Sequence, residues 1–253
     1  MREKIIELLE PKDAAHIWEI GPGLGAMTAH LVETDSRLTL FEIDKMFIKY
    51  LRQVFEIRSG VKIIGGDVLK TWKEVFFSDG MPDRIIGNLP YNSAAAIIAS
   101  FIESGNLPPR MVYTVQKEVG ERMVAGPGTK DYSAFSVLCG FACDVRDCGN
   151  VAPGCFYPQP HVTSKIVLMT PRGSGDLSLL PLVSSFTRAV FASRRKTIRN
   201  NLINSTWTRD IDPQRLWALL GESGIDPEGR GETIAVEDIV GFVKKAAPYK
   251  HDV

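Results

Sequence analysis

An α/β fold, a parallel sheet with helices on both faces followed by a smaller helical domain, is predicted by three observations. Short apolar runs recur along the first two-thirds of the chain, with room for a helix between each pair. The first run ends at Gly21-Pro22-Gly23-Leu24-Gly25 and opens straight into a helix-forming segment. Beyond residue 173 the strand-like runs cease and the pattern turns helical.

In chain order, Met1-Arg2-Glu3-Lys4 starts an amphipathic helix and lacks the apolar core of a signal peptide. Ala15-His16-Ile17-Trp18-Glu19-Ile20 reads as a buried strand, and a helix runs through Leu31-Val32 after the glycine loop. Leu38-Thr39-Leu40-Phe41 is the second strand, and Asp44 caps a helix reaching about Ile57. Val61-Lys62-Ile63-Ile64 is the third strand, ending at Gly66-Asp67, and Arg84-Ile85-Ile86-Gly87 is the fourth. Residues 110–115 make a fifth strand, and residues 143–151 and 165–170 make two more, joined by a proline-rich connection. Pro171-Arg172-Gly173-Ser174-Gly175 reads as a linker, which sets the expected domains at 1–173 and 174–253.

Composition narrows the function classes. A hydrophobic content of 44% and a charged content of 24% fit an ordinary soluble globular protein. No apolar stretch approaches the roughly 18–20 residues that cross a bilayer, so no membrane partner is expected. Thirty basic and thirty acidic residues cancel, so any nucleic-acid site must be a local patch. Cys139, Cys143, Cys148 and Cys155 lack the paired C-x2-C spacing of zinc ribbons, and the four histidines complete no ligand set. No metal is expected, and the thiols read as free in a reducing cytoplasm.

The glycine loop alone does not separate a nicotinamide dinucleotide from S-adenosylmethionine, since Gly21, Gly23 and Ala26 also fit G-x-G-x-x-A. Glu19, just before the first glycine, favours the sulfonium compound: a dinucleotide would bring its own pyrophosphate charge there. Glu42, at the end of the second strand, can accept from two ribose hydroxyls, and Asp67 from an adenine amino group. Three carboxylates at three successive strand ends are far more specific than the glycines.

The fourth strand runs into Asn88-Leu89-Pro90-Tyr91. An amide, a carbonyl on a stiff pre-proline turn and an aromatic ring together suit a flat base with an exocyclic amine. The two acceptors take the amino hydrogens and the ring stacks on the base.

With these motifs in place, the chain resembles the ribosomal RNA small-subunit adenine-N6 dimethyltransferases, the kasugamycin-sensitivity family. The likeness covers nearly the whole length. It runs through Trp18-Glu19-Ile20-Gly21-Pro22-Gly23-Leu24-Gly25, Glu42-Ile43-Asp44, Gly66-Asp67 and Gly87-Asn88-Leu89-Pro90-Tyr91-Asn92. It continues in Gln116-Lys117-Glu118-Val119, Ala125-Gly126-Pro127, residues 156–164 and residues 194–202. The resemblance implies a Rossmann-like class I methyltransferase sheet of seven strands, the last two an antiparallel hairpin, with a small helical C-terminal domain. It implies that Gly21, Gly23 and Glu42 hold the methionine and ribose parts of S-adenosylmethionine and that Asp67 holds its adenine. Glu19, Gly25, Ile43, Val68 and Asn88 are counted with this cofactor set. Asn88 and the Leu89 carbonyl would hold the target N6 on the Pro90 turn, with Tyr91 and Phe156 on the two faces of the target adenine.

The family carries an Asn-Phe-Leu segment ahead of the first strand that walls in the cofactor. Nothing before Trp18 matches it, so weakened cofactor binding is expected. Arg188, Arg194, Arg195, Lys196 and Arg199 place five cations within twelve positions of one helical stretch, which by resemblance contacts RNA. The implied partner is small-subunit ribosomal RNA within a pre-assembled particle, met by a monomer. Two rival readings share these features: the large-subunit adenine methyltransferases of macrolide resistance, and nucleic-acid-binding relatives that have lost catalysis. A nicotinamide dehydrogenase is a third, without a catalytic His, Lys or Tyr arrangement to accompany the loop.

Overall fold

Seven strands form a single sheet: β1 (His16–Ile20), β2 (Arg37–Glu42), β3 (Val61–Gly65), β4 (Arg84–Asn88), β5 (Arg110–Gln116), β6 (Cys143–Val151) and β7 (Ser164–Pro171). Their order is β3-β2-β1-β4-β5-β7-β6. All neighbours are parallel except β7, which runs antiparallel to both β5 and β6. The computed structural model describes residues 1–156, 159, 162–173 and 176–250.

Burial follows strand position. Every residue of β1 is buried, as a strand covered on both faces requires, while the edge strand β3 has one buried residue. β6, the other edge, is buried only at its two ends and carries a bulge between Asp147 and Asn150. Gly149 sits in that bulge at φ 107, and the irregularity blunts the open edge.

Helices cover the sheet: α1 (Arg2–Leu9), α2 (Thr28–Leu31), α3 (Lys45–Phe55), α4 (Val68–Asp79), α5 (Ala94–Glu103) and α6 (Lys117–Val124). Ile5, Leu9, Leu31, Leu51 and Phe55 pack with Ile17, Leu40, Ile86 and Val112 into one core cluster. Trp18 points the other way, its ring 5.1 Å from Phe41 and 6.3 Å from Phe101 of α5, whose ring lies 4.9 Å from that of Trp72 in α4. Residue 18 and residue 17 therefore serve opposite faces, as the two-residue period of a strand dictates.

The ends of α1 and α3 have identifiable causes. Asp44 accepts hydrogen bonds from the Met46 and Phe47 amides at 2.7 and 3.3 Å, the capping expected from the sequence. The last carbonyls of α1, Leu8 and Leu9, accept from Arg110 and Arg84 at the starts of β5 and β4. That anchors α1 with its final turn at the foot of the sheet.

The remaining helices are α7 (Ala134–Ala142), α8 (Leu180–Val190), α9 (Ile198–Leu202), α10 (Trp207–Asp210), α11 (Pro213–Gly221) and α12 (Val236–Ala246). The chain divides into two units, Met1–Gly120 with Cys143–Pro171, and Glu121–Ala142 with Arg172–Val253. This corrects the single cut expected at residue 173, because residues 121–142 cluster with the later helices. The reason is burial: seven of the nine residues of α7 are buried, and α7 packs on α8 and α12. Phe186, Trp207 and Phe242 form an aromatic centre in this second unit, with ring centroids 4.4 to 5.4 Å apart.

The basic run is also corrected. Arg188 lies in α8, residues 194–196 lie in the connection after it, and Arg199 lies in α9, so they do not share one helix.

Candidate active site

The parallel strands all deliver their C-terminal ends to one edge of the sheet, the edge where α/β proteins bind ligands. Gly21 follows β1, Glu42 ends β2, Asp67 lies just past β3 and Asn88 ends β4. Backbone bonds tie the tips together: the Gly21 amide donates to the Phe41 carbonyl at 2.9 Å, and the Gly66 amide to the Glu42 carbonyl at 2.8 Å.

Each glycine of the loop has a different reason to be glycine. Gly21 has φ +68, and a Cβ there would stand 3.0 Å from the Asn88 carbonyl oxygen, so the loop can press against the β4 tip. Gly25 faces inward, where a Cβ would meet the Phe55 ring at 2.5 Å. A Cβ on Gly23 would meet nothing within 4 Å. Its backbone borders open space.

That space is a cleft with two lobes. A cavity of about 410 Å³ is lined by Glu19, Gly21, Gly23, Ala26, Met27, Gly87, Asn88 and Thr114, together with Gly154, Cys155 and Phe156. Met1 and, from α1, Arg2 and Ile5 line it too, so the first helix contributes to the wall although it lacks the Asn-Phe-Leu segment. A second cavity of about 340 Å³ shares Gly21, Gly23, Asn88 and Phe156 with the first and adds Glu42, Phe47, Leu89, Pro90 and Tyr91.

Two carboxylates stand behind the loop, both buried. Glu42 is held by three backbone N–H groups: Ile43 and Asp44 donate to one oxygen at 2.8 and 2.9 Å, and Gly23 to the other at 3.0 Å. Glu19 accepts from the Thr28 hydroxyl at 2.7 Å. Burial pushes its carboxyl up to about 7; the Thr28 hydroxyl and amide oppose the rise, and the like charge of Glu42 adds to it. An ammonium or sulfonium group brought against Glu19 would favour its ionised form.

The β4 tip is more open. The Asn88 side chain and Pro90 are exposed, Leu89 is buried, and the Leu89 amide donates to the Thr114 carbonyl at 3.0 Å. The Pro90 carbonyl accepts from Ser93 and Ala94, closing the turn into α5. Tyr91 and Phe156 are both half-buried, and the Tyr91 hydroxyl shares a hydrogen bond of 2.8 Å with Ser164.

Not every expected residue lines the cleft. Gly25, Ile43, Asp67 and Val68 line neither lobe. Asp67 caps α4 by accepting from the Leu69 amide at 3.0 Å, and the Val68 side chain is buried in the core. Conversely, Thr28, Phe47, Thr114 and Ser164 belong to the site without having been singled out for roles. Only Ser164 carried a signal, as the last residue of the segment beginning at Phe156.

The five cations of the basic run are not equivalent. Arg194 pairs with Glu232 at 3.0 Å and donates to the Lys130 and Tyr132 carbonyls. Arg199 pairs with Glu228 at 2.5 Å and lies 4.7 Å from the centre of the Trp217 ring. Both brace the second unit internally. Arg188 is exposed, as are Arg195 and Lys196, which make no ion pair among the described residues. All four cysteines are free thiols.

Comparison with known proteins bears on this geometry. The family model for ribosomal RNA adenine dimethylase matches residues 1–240. The ribosomal RNA small subunit methyltransferase A of Treponema pallidum is 42% identical over 244 residues, covering 95% of this chain and 84% of that protein. The protein of the same name from Borreliella burgdorferi is 39% identical over 242 residues, covering 95% and 82%. Among solved structures, a dimethyladenosine transferase from Plasmodium falciparum superposes with a TM-score of 0.83 at 23% identity, covering 98% of this chain and 95% of that one. The 23S rRNA methyltransferase ErmE superposes with a TM-score of 0.67 at 20% identity, covering 97% of each chain. These two share the fold. A cleft of this make-up at the strand tips, a match along almost the whole chain and relatives of 39–42% identity lead to one conclusion: the chain belongs to the ribosomal RNA adenine dimethylase family.

Proposed function

We propose that this chain transfers methyl groups from S-adenosylmethionine to the N6 of adenosines in small-subunit ribosomal RNA, two to each. It does so as a cytoplasmic monomer on an assembled small subunit. Family membership and the substrate named for its relatives support the reaction class. The observation that carries it is the continuity of the cleft: Gly21, Gly23, Asn88 and Phe156 border both lobes, so a methyl donor and an acceptor base can meet there.

The residues suit this cofactor. Gly23 leaves room for a ligand against the backbone, and buried Glu19 is a counter-ion for its cationic end. Glu42 would accept from the ribose hydroxyls, and Asp67 would receive the adenine amine with the oxygen that its helix cap leaves over. When bound, S-adenosylmethionine supplies an electrophilic methyl group.

The acceptor nitrogen is a poor nucleophile because its lone pair is delocalised into the adenine ring. Asn88 Oδ1 and the Leu89 carbonyl would accept its two hydrogens and draw it toward tetrahedral geometry, freeing the lone pair. Tyr91 and Phe156 would hold the ring between them. The same two acceptors would stabilise the positive charge that develops on nitrogen as the sulfonium–methyl bond breaks, and one N6 proton would then leave to water, restoring a neutral amine for the second transfer. No side chain needs a tuned pKa for this. Positioning of this kind supplies about 7–11 kcal/mol of a barrier. Arg195 and Lys196, both exposed, would be offered to RNA phosphates.

Labelled methyl transfer to small- and large-subunit RNA and particles, followed by nucleoside mass spectrometry, tests this reading. The expected product is N6,N6-dimethyladenosine in small-subunit RNA alone. Product in large-subunit RNA would instead place the chain with the macrolide-resistance enzymes, and no product in either would leave it a binding protein.

A further inference from the structure

We infer that Ser164 is a positioning residue for methyl transfer, its buried hydroxyl fixing the Tyr91 ring at the angle the acceptor base requires. The inference rests on Tyr91 being a stacking face for that base.

In β7, residues 164, 166 and 168 share one face, and Ile166 and Leu168 belong to the core cluster of the first unit. Ser164 is fully buried on that apolar face, where valine or isoleucine would bury more carbon. A buried hydroxyl needs a partner, and this one finds the Tyr91 hydroxyl at 2.8 Å, 73 residues earlier in the chain.

The backbone of Ser164 is itself immobile. It opens β7 between two neighbours, opposite Gln116 of β5 and Val151 of β6, and the preceding Thr163 carbonyl accepts from Lys117 at 3.0 Å. Tyr91, by contrast, sits in the turn after Pro90, a half-buried side chain on a short connection. Its ring is held at both ends, by the turn at Cα and by Ser164 at the hydroxyl. Ser164 also begins the strand that follows the segment bearing Phe156. The bond therefore ties Tyr91 to a strand fixed on both sides in the sheet.

The test is a double-mutant cycle on the full chain with small-subunit particles, read as kcat, KM and cofactor Kd. Ser164→Ala and Tyr91→Phe should each lower kcat about fivefold, the size of one lost hydrogen bond, with cofactor Kd unchanged. The double variant should stay about fivefold down rather than about 25-fold, since both changes break the same bond. It also leaves neither hydroxyl stranded, which guards against misfolding of the Tyr91→Phe single variant. Additive losses, a wild-type kcat for Ser164→Ala, or a parallel rise in cofactor Kd would each overturn the inference. Tyr91→Ala separates the two levels: full activity there removes the stacking reading itself, whereas an inactive Tyr91→Ala beside a normal Ser164→Ala removes only the role of Ser164.

Discussion

The tips of β1 and β2 and the tip of β4 border the same cleft but are built in opposite ways. At the first pair, two carboxylates are buried and held by the protein itself, Glu42 by three amides and Glu19 by Thr28. At the β4 tip the working side chains are exposed or half-buried, and one side-chain hydrogen bond, Tyr91 to Ser164, steadies the ring. The difference fits a division of labour. A small ligand that arrives with no scaffold of its own needs a preformed pocket, whereas a nucleotide belonging to a large RNA brings remote binding energy to order an open one.

That contrast can be broken most severely at Asn88. Asn88→Ala should lower kcat by about 100-fold or more, since an acceptor aimed at developing charge is lost. Calorimetric cofactor affinity should stay near wild type. An active Asn88→Ala would show that the open tip does no chemistry.

Two glycines two positions apart in the loop, one bordering the cleft and one facing the core, sharpen the comparison next. Gly25→Ala should lower unfolding free energy by about 2–3 kcal/mol, because its Cβ would overlap the Phe55 ring and φ is +77. Gly23→Ala should cost only about 1 kcal/mol, for its φ of +56, yet weaken cofactor binding about tenfold. Chemical denaturation beside calorimetry on both variants reads the two effects separately.

The folded carboxyl of Glu19 titrates at about 7 against an ordinary value of 4.5, so the folded state holds this proton more tightly. Its stabilising contribution is complete below about pH 4.5 and is lost as pH rises through about 7. The ligand-free protein should thus lose stability between those values, and Glu19→Gln should flatten that segment of the profile. A cationic ligand favours the ionised form, so cofactor binding below pH 7 should release protons, measurable as a buffer-dependent heat. The smallest effect is expected outside the cleft. Arg195→Glu with Lys196→Glu should weaken RNA binding and lower its salt slope by about 1.5, while cofactor affinity holds. An unchanged slope would return these cations to an ordinary solvated surface.

Much of this was legible in the residues alone. The alternation of apolar runs with helical segments, the capping by Asp44 and the positions of Glu19, Glu42 and Asn88 at strand ends all follow from local pattern. Burial imposes a period of two on strands and of 3.6 on helices, and turns demand particular residues. Local pattern determined the sheet, its loop and the candidate chemistry. What only the tertiary structure decided were the long-range partners: Arg194 and Arg199 paired with acids of their own unit, α7 grouped with the later helices, and Ser164 set against Tyr91. Such pairs are brought together by packing between segments far apart in sequence, and neither segment's own periodicity encodes which distant partner it will meet.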